Sequence, residues 1–432
     1  MLAVTDGSGG EVTRWLAGHA RPLAAPDELV EQTADEDSPV PDERPHDGVG
    51  GWVRAASGAR VVALGPAVVG TRELPRLAHR VLDGLVADGG VHTLALQASE
   101  SGASLVDDHV RGGTGSPGAA LEALGSWSWN TREVLDVVRD LAGEPGHGTL
   151  RVVGVDPRRP ATAVQVVGRF LRTAAPDVLP SVRDALADLT LGHGDQATRR
   201  AVDRVRERLG QDVPALIAAT SARQHDEAVR HAGYLARAAE LAAAPPGEAD
   251  AVAGRLMADA VVEALDAGGP DERVVLWAHA DHVVVRDGSG GDAPTLGAHL
   301  RERFGDRYRA LVLSAGEGRT RAVRRRRFTG RARTPSVHRL PAPPVGALEA
   351  DLLAASVASA TPAPDLALDL GALEDAGTPA AVTAWAAATA SRRSVGDEVS
   401  PAAPATALVP CVPGSELDGF AVVRTVHPCW VR

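Results

Sequence analysis

Two histidines three residues apart, His279 and His282, follow the apolar run Arg273-Val-Val-Leu-Trp-Ala. Imidazole titrates near neutral pH, so such a pair at the end of a strand can act as acid and base, or as one polariser and one base. The same pair can simply hold backbone and shape a loop. The spacing also suits two ligands on one metal ion, but only Asp281 stands beside them to complete a set, so no metal or cofactor is expected. Gln97 closes another apolar run; its amide hydrogen-bonds but is no base. Asp156 closes a third. It reads either as a cleft-facing carboxylate that raises a histidine's basicity, or as the cap of the Pro-Arg-Arg-Pro turn after it. Glu73 opens a helical stretch, where the helix dipole suits a carboxylate. Trp127 and Trp129 stand close together in a chain with 3% aromatics, and fit an apolar pocket wall or core packing. His225 and His231 fall on an amphipathic helix and are expected on its solvated face.

The elements that must position these groups follow a rhythm. Residues 60–65, 92–97, 151–156, 273–279 and 308–314 are short, continuous apolar runs. Such runs are strands buried on both faces, as in a parallel sheet sandwiched by helices. Helical stretches separate them, beginning with 73–88. The expected fold class is therefore α/β, a mostly parallel central sheet flanked by helices. A long helical block, about 161–268, is inserted between the third and fourth runs and reads as a lobe covering the cleft. Ligands of such sheets bind at the carboxyl ends of the strands, here near Gly65, Gln97, Asp156 and His279. Residues 1–48 are polar and Pro-rich and read as a loose arm with one short helix near 12–17; residues 49–432 read as one domain.

Bulk composition bounds the partners. The 432 residues are 44% hydrophobic, enough for a large core. The 45 basic residues are all arginine, and the net charge of -11 disfavours nucleic acid and anionic membranes. No apolar run reaches about 18 residues, so no membrane span is expected, and no secretion signal is recognised. A cytoplasmic home is expected, with two cysteines, Cys411 and Cys429, that could pair only if late strands brought them together. The run from Arg319 to Arg333 is densely basic and is the one place where an anion or an acidic carrier protein would dock. There is no nucleophile elbow, P-loop or dinucleotide fingerprint.

Several segments, in order and spacing, resemble the erythromycin esterase family from about residue 50 onward. Val61 to Glu73 is similar to a strand followed by G-E-x-x-H-G-T-x-E. Ala95-Leu-Gln-Ala98 is similar to A-L-E-A, and Trp277-Ala-His-Ala-Asp-His282 to W-A-H-N-x-H. Ser126-Trp-Ser-Trp-Asn-Thr-Arg-Glu-Val134, Gly297 to Arg301, Ser314 to Gly318, Arg392 to Gly396 and Leu417 to Ala421 continue the likeness. The resemblance implies a metal-free hydrolase in which a first-motif histidine activates water and glutamates orient it. Carried over residue by residue, those roles fall on Val69, Pro66 and Gln97, further charged positions fall on Ala78, Ala253 and Gly254, and only the histidine pair His279 and His282 persists.

Valine and proline accept no proton, and general-base assistance is typically worth about 10²–10⁴-fold. The expectation is a cleft that has lost its water-activating end and gained apolar surface at Pro66 and Val69. It would bind a bulky apolar, polyketide-like small molecule with Glu73, Trp127, Trp129 and Asp156. His279, His282 and Gln97 would catalyse cyclisation, elimination or isomerisation. A non-catalytic binding protein and a residual ester or lactone hydrolase are the alternatives.

Overall fold

The computed structural model describes residues 6–23, 47–88, 90–143, 150–288, 291–324, 334–359, 362–400 and 407–432. The strands among the described residues are β1 (Arg21–Pro22), β2 (Val61–Pro66), β3 (Val91–Ser99), β4 (Arg151–Asp156), β5 (Arg273–Trp277), β6 (Tyr308–Arg324), β7 (Ser336–Leu340), β8 (Leu366–Asp369), β9 (Ala390–Arg393), β10 (Glu398–Val399), β11 (Leu408–Cys411) and β12 (Gly419–Val426). The main sheet runs β1-β8-β12-β6-β2-β5-β3-β4. From β12 to β4 every neighbour is parallel; β8 and β1 close one edge antiparallel. All six residues of β2 are buried, as expected of a strand between helical layers. β6 runs ten residues past the sequence-predicted strand end, because its distal half pairs with β7 and β10.

The flanking helices form for the reason their spacing gives. In the helix Glu73–Ala87, Leu74, Leu77, Ala78, Val81, Leu82 and Leu85 are buried, one stripe at three- and four-residue intervals. One apolar core lies on that side of the sheet and a second on the other, the latter built with the helix Ala249–Gly268. The helical block separates into two parts. Helices between 161 and 242 share a third core of their own, whereas Ala249–Gly268 packs on β3, β4 and β5.

Two expectations change here. The N-terminal segment is not a loose arm throughout. The helix Asp6–His19 packs against the helix Leu348–Ala358 and buries Trp15 and Leu16; residues 24–46 of the acidic stretch lie outside the described residues. His225 and His231 are not solvated: both are buried, and the His225 ring meets the Leu209 carbonyl at 2.9 Å, because their helix is covered by its lobe neighbours. Cys411, at the end of β11, and Cys429, past the end of β12, are both buried and free. No helix of the described residues is long and apolar enough to cross a membrane.

Candidate functional site

A cleft of about 920 Å³ opens at the carboxyl ends of β2, β5, β3 and β4. That is the upper end of the range for small-molecule sites, about 300–1,000 Å³. Its wall includes Pro66 at the end of β2, Val69 from the turn after it, Gln97 from β3, Asp156 from β4, and His279 and His282 beyond β5. Trp129 joins them, its indole N–H donating to the Gln97 carbonyl at 3.0 Å and its ring edge-on to Trp277. The helical block contributes Asp250 and Gly254; among the described lining residues none comes from 161–242.

Two proposed ligand contacts lie elsewhere. Glu73 is outside the cleft wall and receives the backbone N–H and ring of His427 at 2.9 and 2.8 Å, tying its helix to the C-terminal segment. Trp127 is also outside it, its indole N–H donating to the Asp397 carbonyl at 3.3 Å. Asp156 lines the cleft, but its Oδ1 receives the Arg158 N–H at 3.0 Å, which is the turn-capping geometry. Of the basic run, residues 325–333 lie outside the described residues; within the described part, Arg321 is used internally, donating to the Cys429 carbonyl.

The histidine pair is held by its backbone. Past β5 the chain enters the single turn Ala280–Val283, with His279 as its cap. Two glycines let this turn sit close to its neighbours, Gly65 on β2 and Gly297 in the helix Leu296–Phe304. A Cβ at Gly65 would meet Val283 at 2.4 Å, and one at Gly297 would lie 2.2 Å from the Val283 carbonyl oxygen. Tyr308 also donates to that carbonyl at 2.6 Å.

The same geometry assigns donors and acceptors. The His279 backbone N–H donates to Gln97 Oε1 at 2.7 Å. An N–H can only donate, so the amide oxygen is engaged and the NH2 is the end of Gln97 left for a ligand. Nδ1 of His279 lies 3.2 Å from the Asp281 N–H; in the neutral ring it accepts that hydrogen bond and the ring proton sits on Nε2. Nε2 is buried and has no hydrogen-bond partner.

Electrostatics sharpen the contrast between the two rings. Burial, reinforced by His279 and Arg158, pushes the His282 imidazole down to about 4, so at neutral pH it is uncharged and a weak base. Burial disfavours the charge on Asp281, but His279, Arg392 and Ser394 outweigh it and hold the carboxyl well below the usual carboxylate range. Arg392 reaches Asp281 Oδ1 at 2.7 Å and the Ser394 hydroxyl reaches Oδ2 at 2.5 Å.

Sequence reasoning assigned no chemistry to Arg392 or Ser394, although the segment that holds them was part of the family likeness. Asp397 was missed as well. It accepts from the Ser126 hydroxyl and so clamps the tryptophan segment to the cleft. Glu100, just past β3, is buried and paired with Arg237 at 2.7 Å across 137 residues, a partnership with no sequence signal. Among the described residues no group of three His, Cys, Asp or Glu side chains is placed to hold a metal ion.

The erythromycin esterase family model matches residues 86–426, most of the chain, and the chain belongs to that family. The match begins after the Val61–Glu73 segment. No curated protein matches the sequence. Three solved structures share the fold. A Bacillus cereus protein is 17% identical, with a TM-score of 0.72 over 98% of this chain and 99% of its own. A succinoglycan biosynthesis protein is 15% identical, with a TM-score of 0.72 over the whole of both chains. A point variant of erythromycin esterase EreC in its open conformation is 17% identical, with a TM-score of 0.62 over 87% of this chain and 93% of its own.

Proposed function

We propose that this member of the erythromycin esterase family binds a bulky, largely apolar small molecule in the strand-end cleft and transforms it without activating water, by cyclisation, elimination or isomerisation. The observation that carries the reading is a pair of donors in one cleft lined also by apolar Pro66 and Val69: the NH2 of Gln97, and the buried, unpartnered Nε2–H that the Asp281 N–H contact assigns to the neutral His279 ring. Two such donors suit a carbonyl or a developing enolate oxygen, and charge that builds there is stabilised without solvent reorganisation. Where the family likeness places a base and a carboxylate, Val69 and Pro66 leave stray water unactivated, which favours a non-hydrolytic course. His282, neutral and weakly basic, would relay a proton only from an acidic carbon or hydroxyl.

A second reading, a protein that holds such a molecule without changing it, is favoured by that same low basicity of His282. One experiment separates them. A small-molecule extract of the source cells is incubated with wild type or with the His279→Ala, His282→Ala double variant, and compared by mass spectrometry. Loss of water, or a change of retention at constant mass, with wild type only is the expected result. Gain of water with wild type only would show hydrolysis and end the proposal. A compound that co-purifies unchanged with wild type would establish the binding reading.

A further inference from the structure

The Asp281 carboxylate lies close to His279 yet does not hold its ring: Oδ2 is 3.6 Å from Nδ1, beyond hydrogen-bond reach, while the Asp281 backbone N–H is at 3.2 Å. Both carboxylate oxygens are engaged by other side chains. Arg392 is fully buried, and its one ion pair among the described residues is with Oδ1. Ser394 takes Oδ2. Both come from the segment at and just beyond the end of β9, and the next residue, Val395, is tied to the turn after β2 by the hydrogen bonds Val395 N–H to Ala67 O and Val69 N–H to Val395 O, each 2.8 Å. The segment is therefore fixed relative to the cleft floor.

We propose that Arg392 and Ser394 are positioning residues that set the tautomer of His279: by holding the Asp281 carboxylate out of hydrogen-bond distance of Nδ1 they leave its backbone N–H as the partner there and keep the proton of the neutral ring on Nε2. A carboxylate accepts only, so an Asp281 oxygen that reached Nδ1 would require an N–H there, and in the neutral ring Nε2 would become a lone pair. That exchange converts His279 from a donor into a carboxylate-backed base of the kind that activates water or hydroxyl groups. The two residues thus choose between a polarising site and a hydrolytic one. The inference rests on the donor reading of His279, and its readout is independent of turnover.

The test is nitrogen NMR on protein labelled in its histidine rings, with the His279 signals identified by their loss in His279→Gln. Wild type at neutral pH is expected to show an unprotonated Nδ1 and a protonated Nε2. Ser394→Ala frees Oδ2 and Arg392→Gln frees Oδ1; in each the pattern is expected to invert, and Arg392→Lys is expected to restore it. Ser394→Ala removes one hydroxyl from a half-buried site, so it keeps the test open if the Arg392 variants do not fold. A protonated Nδ1 in wild type, or a wild-type pattern in folded Ser394→Ala, would overturn the proposal. The expected tautomers without turnover would remove the functional reading alone.

Discussion

Replacing Glu100 by Gln is expected to stabilise the protein at neutral pH, although it deletes one partner of a buried ion pair. Glu100 is 4% exposed, and burial pushes its carboxyl up to about 8 against the opposing pull of Arg237. Burial works against the Arg237 charge as well, but Glu100 and Glu263 together raise its pKa, and the more exposed Glu263 at 2.8 Å supplies a counter-charge. At neutral pH Glu100 is then a neutral acid that receives the Arg237 N–H, a role glutamine repeats.

The sign follows from linkage. The unfolded carboxyl ionises near 4.5 and the folded one near 8, so wild type loses stability as pH rises through that interval. Each pH unit removes about 1.4 kcal/mol that the amide variant keeps, so the variant gains about 3 kcal/mol by pH 7. Below pH 4.5 the two proteins should match within about 1 kcal/mol. Urea unfolding followed by tryptophan fluorescence at pH 4.5, 6 and 7.5 measures the difference, and the other titrating groups cancel because both proteins share them. If Glu100 is instead ionised in the fold, the variant strips Arg237 of a buried partner and is destabilised at pH 7 by about 3–5 kcal/mol. That outcome would refute the reasoning.

Acid should act in the opposite direction through His282, held at about 4 by burial, His279 and Arg158, and through His231, held at about 4 by burial and Arg230. Stability from these two is complete above about 6.5 and is lost as pH falls through 4, so His282→Gln should flatten the acid limb of the urea midpoint against pH. Gly65→Ala should push the turn Ala280–Val283 off the sheet, because its Cβ would also lie 3.0 Å from Ala280 Cα; overpacking of this kind costs about 1–3 kcal/mol. Calorimetric affinity for a co-purified ligand should fall with it, and an unchanged midpoint would show that the turn is not clamped. The triple variant Pro66→Glu, Val69→His, Gln97→Glu restores the residues that the resemblance implies. It should raise hydrolysis of an activated ester by about 10²–10⁴-fold if water activation is what is missing; no gain over wild type would place the deficit elsewhere in the cleft.

The parallel sheet was legible in the chain because buried strands of this class are short, continuous apolar runs, and β2, β3, β4 and β5 stand where such runs stand. The location of the cleft followed from the same pattern, since ligands gather at the carboxyl ends of parallel strands. Gln97, Asp156, Trp129, His279 and His282 could be placed at one site before any distance was known. What those groups do there was not legible. Which end of the Gln97 amide is engaged depends on a backbone N–H 182 residues away, and the Asp281 carboxylate beside His279 is held by Arg392 and Ser394, more than a hundred residues further on. Glu73 and Trp127 shared motifs with cleft residues but turn their polar atoms to His427 and Asp397. Apolar periodicity is a local property and is written along the chain. Proton positions, basicity and the direction a polar atom faces are set by burial and by partners that only the folded chain brings together.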